Sequence, residues 1–267
     1  MTGFGRAVAS EFVKLFSTRM WWLLLLILVG YVGLAAAGIA LALTLAPEQS
    51  GMTIPPGALA AVVYSVATAS GFVFPVILGA MSVTGEVRHR TLSTTFLATP
   101  HRAPVLAAKV VVAAVAGAGY GVAASLATVG LGALVLGSSG EPTALDESDT
   151  WAMIARMVLA MAIWAMLGVG LGVLVPSQVG SIVAILAFTQ FVEPIVRTAA
   201  AFVEPLGGVA KFLPGAAGDA LVGASFYTAL GPSAQTLEWW QGGLVLAGYA
   251  VAFLVAGATT FWRRDVT

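Results

Sequence analysis

Six long runs of mostly apolar residues divide this 267-residue chain, and they constrain its fold more than any other feature. A helix needs about 20 such residues to cross the hydrocarbon core of a bilayer. Only 9% of the residues are charged, against about 25% in a soluble domain. The sequence therefore predicts an all-α polytopic membrane protein, one transmembrane domain over 1–267, with six transmembrane helices at 21–45, 59–83, 105–136, 151–175, 179–192 with a continuation, and 240–262.

Basic residues set the expected orientation, since they collect on the cytoplasmic side of membrane proteins. An even number of spans puts both termini on one side. If that side is the cytoplasm, nine of the twelve basic residues face inward, and nine of the twelve acidic residues face outward. We therefore expect a multi-pass protein of the cell membrane with cytoplasmic N- and C-termini. The inward basic residues are Arg6, Lys14, Arg19, Arg88, Arg90, Arg102, Lys109, Arg263 and Arg264.

Three segments outside the spans have sequence patterns that predict their structure. Residues 1–20 place apolar side chains at helical spacing, which predicts an amphipathic helix. It lies either in the membrane interface or, as a cytosolic helix, against the protein. The basic, Thr-rich loop 84–104 follows the second span on the cytoplasmic side. The segment 197–238 is external, and its apolar pieces, interrupted by Gly and Pro, predict short re-entrant or interfacial helices. Glu193-Pro194 is expected to interrupt the fifth span.

The polar inventory excludes several kinds of chemistry. The three lysines are followed by Leu15, Val110 and Phe212, so no Gly-Lys-Ser/Thr phosphate loop exists. His89 and His101 lack metal-site spacing, no catalytic constellation is evident from spacing, and zero net charge argues against nucleic acid as a partner. The glycines of LGVGLGV (167–173) and AGAGYGVAAS (116–125) are typical of close helix packing.

The spans hold almost no charge near their middle, where ion-driven transporters place it. Instead, the spans contain isolated hydroxyls, an amide and aromatic rings. Such side chains suit a hydrophobic or amphipathic cargo better than they suit an ion. We expect a cargo path along the second and fifth spans, at Thr68, Phe72, Phe74, Phe188, Thr189 and Gln190.

Two segments resemble one family. SEFVKLFSTRMWWLLL, from Ser10, resembles the start of permease subunits of type-2 ABC exporters, in which an amphipathic helix with a Glu-x-x-Lys-Leu pattern leads into the first span. TGEVRHRTLSTTFLATPHRAPVLAAK, from Thr84, is similar to the loop after that family's second span. The matching positions are Glu86, Arg88, Thr91, Leu92, Pro100, Arg102 and Lys109. Arg90 stands where many relatives have Gly.

The resemblance implies that the loop forms a coupling helix docked on a separate ATPase. Two ATPase copies would bind ATP and Mg, and a second permease subunit, identical or paralogous, would complete the pathway among the membrane lipids. This chain would carry no cofactor and would not itself be an enzyme. We expect residues 91–98 to form a short helix that ends before Pro100. Leu92, Phe96 and Leu97 would form its apolar face, and Glu86 and Arg88 would make charged contacts.

Other functions remain open from the sequence. The chain is alternatively an intramembrane enzyme, a permease driven without ATP, or a membrane immunity or scaffold protein. Copurification of an ATPase, or an ATPase gene beside this one, separates these possibilities.

The expected topology is testable by cysteine labelling, because the chain has no cysteine. Single cysteines at Glu48, Ser139 and Ala234 should react with an impermeant thiol reagent in intact cells, and cysteines at Ser93 and Thr267 should not. Labelling of position 93 from outside would contradict the predicted orientation.

Overall fold

The computed structural model describes residues 3–45, 57–91, 102–200, 203–224 and 237–260, and helices dominate these ranges. In chain order the helices are α1 (Gly3–Ser17), α2 (Met20–Leu45), α3 (Leu59–Ala69), α4 (Val73–Arg88), α5 (Arg102–Ser138), α6 (Ser148–Leu174), α7 (Gln178–Ala187), α8 (Glu193–Ala200), α9 (Glu204–Ala210), α10 (Pro214–Val222) and α11 (Trp239–Thr260).

The six predicted spans are confirmed as six helical segments long and apolar enough to cross a membrane, counted over the described ranges. The second consists of α3 and α4, with a break at residues 70–72. Helices continue past three of the predicted segment boundaries, since residues 84–88 belong to α4, 102–104 to α5, and 197–200 to α8. The segment between α4 and α5 is 89–101, and we keep the name polar loop for it.

Pro194 does not interrupt the fifth span, contrary to the expectation from sequence. Residues Phe188–Val192 form a π-helical turn between α7 and α8, and the Glu193 amide donates to the Phe188 carbonyl. A proline inside a helix removes one backbone hydrogen bond, and its ring collides with the preceding turn. A π turn directly before the ring widens the backbone there, which lets the helix continue to Ala200.

Helix α6 lies at the centre of the bundle, against α4, α5 and α11. Its glycines remove side chains where these helices meet. A Cβ added to Gly168 would collide with the Val76 carbonyl of α4, and one added to Gly172 would lie 2.6 Å from the Ala80 carbonyl. From the other side, a Cβ on Gly79 would collide with the Ala165 carbonyl. The predicted role in close helix packing is confirmed for Gly168 and Gly172, and it is wrong for Gly119, where nothing lies within 4 Å of an added Cβ. Gly79 was not predicted.

Helix α1 turns a charged face towards the protein and apolar residues away from it. All its residues are described, and only Glu11 is buried. Val13 is 68% exposed and Phe16 55% exposed. Leu15, by contrast, packs against the buried core, so the apolar residues of α1 divide between the protein and its outside. Two residues separate α1 from α2, so α1 lies at the end of the first span.

The packing of α4 on α6 predicts a strong effect for Gly79→Val. The added atoms meet the backbone of α6, which has no rotamer to change, so the variant should lose at least about 3 kcal/mol, the upper end of the usual cost of overpacking. Gly119→Val is the control, because nothing lies within 4 Å of a Cβ at that position. The melting temperatures of both variants in detergent test this, and equal values would contradict the packing.

Candidate functional site: a buried charge cluster beside the polar loop

Four charged side chains form a closed ring at the end of the bundle where the polar loop leaves α4. We call Glu11, Lys14, Glu86 and Lys109 the charge cluster. Lys14 Nζ lies 2.7 Å from Glu11 Oε1 and 2.7 Å from Glu86 Oε1. Lys109 Nζ lies 2.8 Å from Glu11 Oε2 and 2.9 Å from Glu86 Oε1. Each acid therefore contacts both lysines.

The charge cluster joins three elements that are separate in sequence. Glu11 and Lys14 are one turn apart on α1, so they point in the same direction. Glu86 is in the last turn of α4, and Lys109 is in the second turn of α5. Lys109 Nζ also donates to the Ser82 carbonyl of α4, at 2.8 Å. The loop 89–101 thus begins and ends on two helices that are tied to each other and to α1.

Because the charge cluster is largely buried, its stability depends on having equal numbers of positive and negative charges. Lys109 is 1% exposed, and Glu11 and Glu86 are also buried. A buried charge without a partner is costly, but two acids and two lysines are neutral together. Burial lowers the pKa of Lys14, but its hydrogen bonds and charge interactions with Glu11 and Glu86 outweigh burial and leave the pKa raised. Lys14 therefore keeps its charge at neutral pH and loses it only at strongly alkaline pH.

One oxygen in the charge cluster has no hydrogen-bond partner. Glu86 Oε1 accepts from both lysines, whereas the buried Oε2 accepts from no group in the described part of the chain. Such a group is less well satisfied than the rest of the charge cluster. Glu86 is thus held by one oxygen only.

Glu86 and Arg88, which were expected to make charged contacts with a docked protein, both contact side chains of this chain instead. Glu86 is buried in the charge cluster, so in this conformation its carboxylate is not exposed to a docked protein. Arg88 is exposed, and its Nη1 donates to Gln178 Oε1 at 3.1 Å, which links the end of α4 to the start of α7. The roles of both residues in coupling stay predictions.

Arg90 has a backbone conformation that glycine adopts more readily than other residues. Its φ is +55°, in the left-handed region that favours glycine. The Arg90 amide donates to the Val87 carbonyl at 3.2 Å, and the Thr91 amide donates to the Glu86 carbonyl at 2.9 Å. These two bonds form a Schellman motif, which ends a helix. The motif turns the chain out of α4 directly after the charge cluster.

The apolar part of the predicted docking surface lies outside the part of the chain that the structure describes. Leu92, Phe96 and Leu97 lie outside the described residues, as does the expected helix apart from Thr91. Arg102 is the first residue of α5. The docking role of all four residues stays a prediction.

Sequence reasoning missed the ring of contacts, although it named all four residues of the charge cluster. Two signals were present. Lys109 falls inside an apolar run, and a charge in such a place needs a partner. The Glu11-x-x-Lys14 spacing puts opposite charges on one face of α1. The ring joins Lys14 to Glu86, 72 residues apart, and Glu11 to Lys109, 98 residues apart, and no local pattern contains such pairs.

Four of the six predicted cargo residues lie together in the other half of the bundle. Thr68, Phe72, Thr189 and Gln190 line a small cleft with Trp164 and residues of α8 and α10. Its volume of about 40 Å³ is far below the roughly 300–1,000 Å³ of drug-sized sites. Phe74 packs near Tyr31 instead, with ring centroids 6.2 Å apart, and Phe188 does not line the cleft.

Comparisons with known proteins do not assign the chain to a group. No protein-family model matches it, and no curated protein shows significant sequence similarity to it. Over the described ranges, no group of three or more His, Cys, Asp or Glu side chains could hold a metal ion. The charge cluster and the cleft are therefore interpreted from their own chemistry.

The charge cluster predicts that removing one lysine harms the fold more than removing a lysine and an acid together. Lys109→Met leaves two buried acids with one cation and should cost about 3–5 kcal/mol, or roughly 10 °C in melting temperature for a chain of this size. Adding Glu86→Gln restores neutrality and should recover part of the loss. Lys211→Met, outside the charge cluster, is the control. An additive loss in the double variant would show that the two residues do not interact.

Proposed function

We propose that this chain is the membrane subunit of an ATP-driven exporter. It would pair with a separate ATPase subunit and a second permease subunit, and it would move a hydrophobic or amphipathic molecule out of the cytoplasm. The observation that carries the proposal is the charge cluster, which ties α1, α4 and α5 together where the polar loop begins and ends. The resemblance of 10–25 and 84–109 to type-2 ABC permeases points the same way.

The charge cluster fits the mechanical role that such a subunit needs. An ATPase pulling on loop 89–101 would act on the end of α4 and the start of α5. Because Glu86 and Lys109 hold these ends together and Glu11 adds α1, a local displacement would move three helices as one body. A flexible connection would absorb the same displacement in the loop. Conformational work at the ATPase would thus reach α4 and, through its packing, the central helix α6.

Three finer features belong to the same proposal. Both termini lie in the cytoplasm, as the distribution of basic residues indicates. Residues 91–98 form the coupling helix. Helix α10 is re-entrant, since its Gly218 lies against Trp164, which is near the middle of α6, while nine residues are too few to span.

The hydrophobic face of the coupling helix should carry most of the affinity for the ATPase. Exposed ion pairs are worth only about 0–1 kcal/mol, whereas a large buried apolar side chain contributes roughly 1.5–3 kcal/mol. Phe96→Ala should therefore weaken association with the ATPase by roughly 10- to 100-fold. Glu86→Ala should leave more of the assembly intact but lower transport per ATP, because α4 loses its ion pairs with Lys14 and Lys109 and keeps only the bond from Lys109 to the Ser82 carbonyl. Copurification, ATP turnover and transport in nanodiscs measure these effects.

Two matched variants control for general damage. Phe212→Ala removes an aromatic ring that is 45% exposed and far along the chain from the loop, and Glu141→Ala removes an exposed acid. Both should assemble and transport like the unaltered chain. Unchanged association and transport for Phe96→Ala and Glu86→Ala would contradict ATP coupling through this loop. That result would favour a permease without ATP, an intramembrane enzyme or a scaffold.

A further inference from the structure

A carboxylate from the fifth span caps a helix that belongs to a different part of the chain. The first amides of a helix need acceptors, and the residue before α10, Leu213, has no polar side chain to supply one. Glu193 takes its place from α8. Its Oε2 accepts from the Gly215 amide at 3.0 Å, and its Oε1 accepts from the Ala216 amide at 2.8 Å. The negative charge also suits the positive end of the helix dipole.

A second contact lies one turn further along both helices. Arg197 Nη2 lies 2.7 Å from Asp219 Oδ2, so α8 holds α10 at two successive turns. Glu193 is 3% exposed, and its distance of 3.9 Å from Arg197 Nη1 adds a charge interaction. The two helices are thus joined by directed polar contacts rather than by apolar packing alone.

Gly215 is the residue that lets the carboxylate come so close. A Cβ at this position would collide with Glu193 Oε1 and lie 2.8 Å from Oε2. The atoms in the way belong to the end of a side chain. An alanine would therefore push the carboxylate out and leave the backbone of α10 in place. This makes the contact open to a test that does not remove the acid itself.

Helix α10 forms one side of the cleft that holds the predicted cargo residues, through Gly215, Gly218 and Asp219. Glu193, Pro194 and Arg197 of α8 also line it, and Thr68 lies among the residues from the rest of the bundle. Thr68 is only 4% exposed. The access of water to Thr68 therefore depends on how closely α8 and α10 sit.

We propose that Glu193 and Gly215 form a latch that holds α8 as a lid against α10 at the cleft, with Arg197 and Asp219 as its second contact. When α8 moves away from α10, the carboxylate leaves the Gly215 and Ala216 amides, and the cleft opens to water. This goes beyond the proposed function, because the latch concerns the cleft and requires neither an ATPase nor a cargo. Glu193 and Arg197 are positioning residues for the lid.

The latch is testable by the reactivity of one buried cysteine. Thr68→Cys, in a chain that has no other cysteine, is placed in nanodiscs with a water-soluble maleimide. With the latch intact, labelling should be slow. Adding Gly215→Ala or Glu193→Ala should raise the labelling rate at least tenfold. Glu193→Gln, which keeps the acceptor oxygen but loses the charge, should give an intermediate rate.

Matched controls separate an open lid from a damaged protein. Gly208→Ala makes the same change on α9 with nothing within 4 Å of the new Cβ, and Glu141→Ala removes an exposed acid. Both should leave the labelling rate unchanged, and all variants should keep a single species by size-exclusion chromatography. Equal labelling of Gly215→Ala and Gly208→Ala would overturn the latch. A raised rate in a chain that does not couple to ATP would support the latch and reject the proposed function.

Discussion

Four paired charges, three of them on buried side chains, hold together the end of the bundle where the polar loop leaves it. Burial of Lys109 at 1% exposure is tolerable only because Glu11 and Glu86 lie 2.8 Å and 2.9 Å away, since an unpartnered charge would not stay buried. That requirement fixes α1 against α4 and α5. It also determines which face α1 presents, so that Val13 and Phe16 point away from the protein.

Small residues play the corresponding part in the middle of the bundle. Gly79, Gly168 and Gly172 let the backbones of α4 and α6 touch, which makes this pair stiff. A displacement of α4 at the charge cluster would therefore be carried along the helix to α6 rather than lost in side-chain rearrangement. Glu193 also connects two helices directly, the fifth span and α10. Here a buried carboxylate makes the contact, whereas backbone atoms make it between α4 and α6.

Much of the fold could be predicted from the sequence because span length is a local property. A run such as 21–45 is long enough for a bilayer whatever surrounds it. The glycines at 167–173 predict close helix packing, but not that α4 is the partner. Pro194 shows where a local rule failed, since the π turn at 188–192 absorbs the ring. Glu86 was expected at the surface because its neighbours are polar. Its burial depends on Lys14 and Lys109, at sequence separations of 72 and 23 residues.

In the exporter that we propose, α1, α4 and α5 move as one body when the ATPase changes state. A spin-label distance between Ser10 on α1 and His89 at the end of α4, both exposed, measures this directly in the cysteine-free chain. The distance distribution should be narrow and the same in the nucleotide-free and vanadate-trapped complexes, and Lys109→Met should broaden it. A distance that shifts between the two states in the unaltered protein would contradict the claim.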